Sequence, residues 1–422
     1  MTPPSPAPAM KRGTIPVFAV ATAITVANIY FTQPLLERIA LDLGVSSTAA
    51  GGVATAGQIG YALGIVAIVP LADRAPLRRV SRILLTVTAI ALLAGALAPS
   101  IALLSLATLV LSTTTVVPQI IMPTVASLAA KGQAGRALGA VGTGLTLGAL
   151  LSRTVSGALS QATGTWRADY FAAALVTACL LFVLPGYMPE RGANTGERST
   201  GYLKLLASMP PLVLRHPSLR LSALLGAGVY GAFSSFWATL AFHLSQKPLE
   251  LGPAAAGLFG LSSVPGALAA RYSGRLSDRY GPDTVNVIAL VSATTAFLVF
   301  LLDGDSLAAL VIGCNLLGYG TTSAQIANQT RIFAGPVAVR ARLNTLYMFS
   351  LFASAAVGSA LAVVLFERHG WTAVALEGMA FLALAALILT VHAVNRHGTP
   401  EVPGTRRASR AAHPEPAVSE HR

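Results

Sequence analysis

Pro70-Leu71-Ala72-Asp73-Arg74 ends one apolar stretch of the chain, and Arg275-Leu276-Ser277-Asp278-Arg279 ends another. The two acids lie 205 residues apart, and Gly52 and Gly257 upstream keep that spacing, as do Trp166 and Trp371 downstream. Gln119 and Gln325, and Arg136 and Arg342, are 206 apart, so one residue of drift is absorbed. The chain reads as two copies of one plan. In a membrane, a doubled chain can hold a site between its halves and rock them alternately around it.

Composition puts both copies in a bilayer. Of 422 residues, 54% are hydrophobic and 11% are charged, against about 25% charged in soluble domains. Apolar runs of about 20 residues recur along the chain, each long enough to cross hydrocarbon as a helix. Cys179 and Cys314 sit alone in such runs, so neither a disulfide framework nor a metal cluster is expected. Met1 to Ala9 lacks the order of charge, apolar core and cleavage site of a signal peptide, so the first apolar run is expected to stay as a helix.

Twelve spans are expected, at 15–36, 50–72, 81–98, 100–128, 137–160 and 166–188, then 218–244, 253–274, 284–302, 306–332, 343–366 and 371–394. The fold class is an all-α membrane protein with twelve transmembrane helices in two pseudo-symmetric six-helix halves, 14–188 and 218–394. A cytoplasmic segment, 1–13, precedes them. Residues 189–217 read as a cytoplasmic linker with a short amphipathic helix, and 395–422 as a disordered tail.

The net charge of +13 is explained by where the charges lie. The N-terminus, the even-numbered loops, the linker and the tail hold 23 of the 29 Lys and Arg. This bias places both termini in the cytoplasm and the chain, as a multi-pass protein, in the cytoplasmic (inner) membrane. Little basic charge is left over for nucleic acid, and the lipid bilayer is the expected partner.

Asp73 and Asp278 each occupy a tight loop at the cytoplasmic end of a span. A carboxylate there can accept bonds from a helix N-terminus and from an Arg on a neighbouring loop. Arg136 and Arg342 open the fifth span of each half and are natural partners. Asp73, Arg74, Arg136, Asp278, Arg279 and Arg342 are therefore candidate gate residues, forming a latch weak enough to open and close.

At these loops the chain resembles the major facilitator superfamily, whose signature is Gly-x-x-x-Asp-Arg-x-Gly-Arg-Arg between the second and third spans, with a weaker copy between the eighth and ninth. Here the second copy matches better, as Gly274-Arg275-Leu276-Ser277-Asp278-Arg279-Tyr280-Gly281. In the first, Val69 and Pro76 replace the glycines and Leu77 is inserted. The resemblance spans about residues 14–394. It implies alternating access of a small solute by a monomer, without nucleotide hydrolysis, and no phosphate-loop motif is present. No cofactor and no catalytic residue is expected, since no nucleophile–base pair or metal spacing is found.

The fifth span carries Gly139, Gly148, Ser152, Arg153, Ser156 and Gly157. This spacing is similar to a motif of drug/proton antiporters, with Ser152-Arg153 in place of Gly-Pro and Ser156-Gly157 in place of Gly-Gly. Small residues so spaced let helices approach closely. Arg153 lies about 25 Å beyond Arg136 along the helix. It either faces a cavity, where a charged residue is a functional candidate, or snorkels to the outer surface. In the first span, Asn28-Ile29-Tyr30-Phe31-Thr32-Gln33-Pro34 resembles a segment of bacterial facilitators described as multidrug or sugar-efflux-like.

Asn28, Tyr30, Gln33, Gln58, Arg153, Gln325, Asn328 and Gln329 are the candidate substrate contacts. Each amide has a second reading, a hydrogen bond between helices. Phe31, Phe233, Phe236 and Trp237 form a candidate aromatic wall. Proton coupling needs a shielded titratable group, and Glu377, two turns into the twelfth span, is the candidate. The expected function is a secondary transporter of a small organic solute, driven outward by protons. Import or uniport of a polar metabolite, and a receptor that kept the fold without transport, are the alternatives.

Overall fold

The computed structural model describes residues 13–72, 75–129, 133–190, 202–270, 272–336 and 339–397. Asp73 and Arg74 lie outside the described residues, as do nearly all of the two terminal segments and the middle of the linker. Among the described residues, eleven helices are long and apolar enough to cross a membrane: Thr14–Leu43, Ser47–Ala72, Leu77–Ala96, Ile101–Leu128, Gly135–Thr163, Arg167–Gly186, Pro217–Ser245, Pro253–Tyr280, Pro282–Leu302, Leu307–Phe333 and Arg340–Asn395. The last has 56 residues, which as one straight helix would measure about 84 Å, far more than the ~30 Å of hydrocarbon. It is two helices joined at Gly370, whose φ of 74° breaks the helical path. A side chain would be strained there. The expected eleventh and twelfth spans are its two limbs, so the chain crosses twelve times.

Helix ends follow local chemistry. Ser46, Ser100 and Ser306 cap the second, fourth and tenth spans, accepting from the backbone N–H groups of Ala49, Leu103 and Ala309. These bonds satisfy donors that a helix start leaves free. Pro217, Pro253 and Pro282 sit in first turns, where the missing N–H costs nothing.

Proline also breaks three spans internally. In the first span the helix gives way to a 3-10 turn, Gln33–Leu35, at Pro34. It then resumes as Leu36–Leu43, longer than the sequence pattern indicates, because Leu36 and Ile39 bury completely. The fourth span is interrupted before Val117–Leu128, whose first turn holds Pro118. There Thr115 Oγ1 donates to the Thr25 carbonyl at 2.9 Å. In the eighth, Pro265 separates Pro253–Ser262 from Val264–Ala269. Asn315 of the tenth span bridges that break. Its amide donates to the Ser262 carbonyl at 2.9 Å and accepts from the Gly266 N–H at 3.0 Å. Freed backbone groups in a membrane need such partners.

Large apolar side chains remain exposed around the bundle, among them Phe182 at 85%, Leu302 at 81% and Leu175 at 67%. Their spread over many spans fits lipid contact rather than water.

The two halves meet on two seams. The fifth span packs on Pro253–Ser262 of the eighth, and the second span packs on the eleventh. Both contacts lie toward the end of the bundle away from Thr14, called here the far end. A methyl group on Gly157 would lie 2.2 Å from the Pro253 carbonyl oxygen, and one on Gly257 would lie 2.4 Å from that of Arg153. Only glycine allows this approach. Thr154 Oγ1 donates to the Gly257 carbonyl at 2.9 Å. On the other seam, Thr55 and Ser359 hydroxyls share a bond at 3.0 Å, and the Thr48 N–H donates to Glu367 at 2.7 Å. One apolar cluster closes the far end across both halves, with Phe31, Leu35, Ile39 and Val53 against Phe242, Val363 and Phe366.

Toward the terminal end the eighth span leaves the fifth. Val264–Ala269 and Tyr272–Tyr280 pack instead on the ninth and tenth spans. Gly139 and Gly142, on the first turns of the fifth span, have no atom within 4 Å of where a side chain would begin. The halves are joined at the far end, and among the described residues the fifth and eighth spans part toward the termini.

Candidate site between the halves

Arg153 lies where the seam ends. It is 2% exposed, so its guanidinium is inside the protein and does not snorkel. The fifth span places it one turn before Gly157, against Gly260 of the eighth span. The proline turn of the first span aims Gln33 back at it. Gln33 Oε1 accepts from Arg153 Nε at 2.7 Å, and the Ala149 carbonyl accepts from Nη1 at 2.6 Å. The guanidinium carbon stands 4.5 Å from the Tyr30 ring centre and 4.0 Å from that of Trp237. One ring comes from each half. Such contacts are worth roughly 2 kcal/mol when water is excluded. Nη2 is buried with no hydrogen-bond partner.

An aromatic wall runs on from this point. Trp237 lies 6.1 Å from Phe233, Phe233 stacks on Tyr230 at 5.5 Å, and Tyr230 meets Phe352 edge-on at 5.4 Å. Phe352 in turn lies 4.4 Å from Tyr61 of the first half. Tyr30 and Tyr230 share a hydroxyl bond at 2.9 Å. Trp237, Phe233 and Tyr230 recur at helical spacing on one face of the seventh span, which turns that face to the first half. Phe31 and Phe236 point elsewhere: Phe31 packs on Tyr170, and Phe236 stacks on Phe300.

The expected polar contacts divide by location. Tyr30, Gln33 and Arg153 come together. Gln58 is 4% exposed with an unpartnered Oε1. It shares the helix face of Gly51 and Thr55, which looks at the eleventh span. Gln325 and Gln329 are half-buried beside Met348, and Gln329 also donates to Asn344 at 3.4 Å. Asn28 and Asn328 stay inside their own halves. Asn28 donates to Thr177 at 3.2 Å. Asn328 exchanges two bonds with Asn286, at 3.3 and 3.0 Å. For these two the interhelical reading describes the geometry.

Glu377 is half-buried on the twelfth span. Ser235 donates to its Oε1 at 3.1 Å, while Oε2 is buried without a partner. Asp169, at the start of the sixth span, is 4% exposed and likewise keeps an unpartnered Oδ2.

Of the gate residues, Arg136, Asp278 and Arg279 are exposed, and Arg342 Nη1 donates to Ser208 of the linker at 3.1 Å. Among the described residues, Arg167 pairs with Asp42 and Arg331 with Asp283. The Arg331–Asp283 pair was not apparent from sequence. Its signal is two opposite charges at the same end of consecutive spans. Arg331 also donates to Ser222 and Asn328, so it ties the second half together internally. Among the described residues, no group of three His, Cys, Asp or Glu is placed to hold a metal ion.

Known proteins share this architecture. The chain is 36% identical over 381 residues to the probable transporter SCO4007 of Streptomyces coelicolor, covering 90% of this chain and 87% of that one. It is 33% identical over 375 residues to the uncharacterized transporter YgaY of Escherichia coli O157:H7, covering 89% and 94%. Among solved structures, a peptide transporter, POT, in complex with sulfate gives a TM-score of 0.72 at 16% identity, over 90% of this chain and 94% of that one. A bacterial homolog of the human lysosomal transporter Spinster, inward-facing and unoccupied, gives 0.69 at 14% identity, over 90% and 96%. These two likenesses are likenesses of fold. The family model for the Major Facilitator Superfamily matches residues 18–336. The chain belongs to the major facilitator superfamily and is a membrane transporter of that type.

Proposed function

We propose that this transporter exports a small organic solute from the cytoplasm in exchange for protons, as a monomer in the cytoplasmic membrane with both termini inside. The observation that carries the reading is the position of Arg153. It is a buried cation at the meeting of two halves that are sealed beyond it and parted before it. Solute entering from the terminal end would reach Arg153 and stop. Rocking the halves about this point, with the far seams opening and the terminal loops closing, would release it on the other side. One chain supplies both walls of the site, so one chain suffices.

The basic loops support cytoplasmic termini, and the small-residue pattern of the fifth span supports the antiporter branch. Gly157 gives that pattern a job, since with Gly257 of the eighth span it lets the two halves touch. Asp73, Arg74, Arg136, Asp278, Arg279 and Arg342 latch the terminal end in the opposite state. Glu377 is the proton carrier, with one oxygen held by Ser235 and one left over for a proton. The segment divisions at 14–188 and 218–394 are the two moving bodies.

The test is flux in liposomes containing the purified protein, with a pH gradient imposed in either direction and a solute library at equal concentration inside and outside. Export predicts that solute leaves against its gradient only when protons flow the other way. Solute movement that ignores the gradient, or follows the protons, contradicts antiport.

A further inference from the structure

The chemistry around Arg153 narrows the solute. Every group that touches its guanidinium is neutral: the Gln33 amide, the Ala149 carbonyl and the two rings. Among the described residues, neither ion pair involves it. Glu377, the acid on the seventh span's other side, is bound to Ser235 instead. Arg331 of the tenth span is paired with Asp283. A full positive charge is therefore buried at the seam without a counter-charge, and a charge in that position needs one. The Nη2 donors are the part of the group that protein atoms leave unfilled.

The aromatic surface next to it is apolar and flat. Tyr230 and Phe233 are half-buried on the side facing the first half, and both adjoin Trp237 or its stack. A solute held between the halves here would place one negative oxyanion group at Arg153 and an apolar body along the rings. We infer that the solute is an organic monoanion, a carboxylate on an aromatic or similarly flat apolar skeleton. A cation would meet the guanidinium's repulsion. A dianion would leave one charge unpaired, and a neutral solute would leave the arginine uncompensated. This inference rests on the transport reading, which places solute at Arg153.

The experiment is equilibrium binding to the protein in lipid nanodiscs, with empty nanodiscs subtracted. Four probes share one ring system: 2-naphthoate, 2-naphthamide, 2-naphthylmethylamine and naphthalene-2,6-dicarboxylate. The expected result is 2-naphthoate binding at least about tenfold tighter than each of the others, roughly the cost of one lost charge-assisted contact. Arg153→Gln removes that preference, and Arg153→Lys keeps only part of it, because an ammonium lacks the stacked plane. Trp237→Leu retains the preference while weakening all four probes alike, and it serves if the Arg153 variants fail to fold. Tightest binding by the amine, the amide or the dicarboxylate overturns the inference. So does an unchanged preference in Arg153→Gln, or no binding by any probe at millimolar concentration. Liposome flux separates the two levels. Export of neutral or cationic library members leaves transport standing and removes the anion. No flux of any solute class removes the transport reading itself.

Discussion

Tyr30 and Tyr230 join their hydroxyl groups at 2.9 Å across the boundary between the two halves. The bond lies beside Arg153, whose guanidinium rests on the Tyr30 ring. It belongs to the sealed state, because moving the first and seventh spans apart breaks it. Removing it with Tyr30→Phe or Tyr230→Phe keeps both rings and costs that state about 1 kcal/mol, a shift of roughly fivefold. In a background lacking Cys179 and Cys314, a cysteine placed at Val363, buried in the far-end seal, should react about fivefold faster with a membrane-impermeant maleimide in either variant. An unchanged rate would mean that the bond does not weigh on the equilibrium.

The second seam offers a lock. Thr55 and Ser359 oxygens are 3.0 Å apart, so the γ atoms of paired cysteines at these positions would meet. In a background lacking Cys179 and Cys314, Thr55→Cys with Ser359→Cys should stop flux when oxidised and recover it on reduction. Full flux in the oxidised protein would show that this seam need not open.

Glu377→Gln keeps an oxygen for Ser235 but cannot carry a proton. Coupling at Glu377 predicts that gradient-driven accumulation falls at least about tenfold, while exchange at equal pH stays within about twofold. Loss of both together would assign Glu377 a structural role, and loss of neither would move coupling elsewhere, with buried Asp169 next in line.

Asn28 and Gln33 should separate cleanly. Asn28→Ala gives up a bond to Thr177 and should cost about 1 kcal/mol of stability in detergent without changing solute affinity. Gln33→Leu strands Arg153 Nε and should lower solute affinity several-fold. Equal effects on affinity would place Asn28 at the solute.

Asp283→Asn breaks the pair with Arg331. Breaking a fully buried pair costs 3–5 kcal/mol. Asp283 is 35% exposed at its side chain, so about 1–3 kcal/mol is expected. Thermal unfolding should shift down while flux per folded molecule is kept. A selective loss of flux would put this pair in the gate.

The repeat at Asp73 and Asp278 made the two halves legible, because a 205-residue period survives in a sequence whatever the packing. Span count followed from apolar length. The break at Gly370 was visible as the gap between the expected eleventh and twelfth spans, but the helix beyond Pro34 was not, since it depends on what the adjoining turns bury. Arg153 was legible as an anomaly, an arginine in an apolar helix. Its orientation was not, because Tyr30, Gln33 and Trp237 are brought to it from other spans. Amides were the least legible. Asn28 and Gln33 sit five residues apart on one helix, yet the turn at Pro34 sends one into its own half and the other to the seam. No period in the sequence encodes that turn.

The central claim is that the halves rock about Arg153, and paired spin labels test it most directly. One pair, Ala162 and Lys247, reports the far end of the fifth–eighth seam, and the other, Gln133 and Tyr280, its terminal end; all four are exposed. Distances are measured in lipid nanodiscs at two pH values, with and without a transported solute. Rocking predicts two populations in which the far-end distance lengthens as the terminal-end distance shortens. A single distance at each end under every condition, in protein that still carries solute, would contradict it.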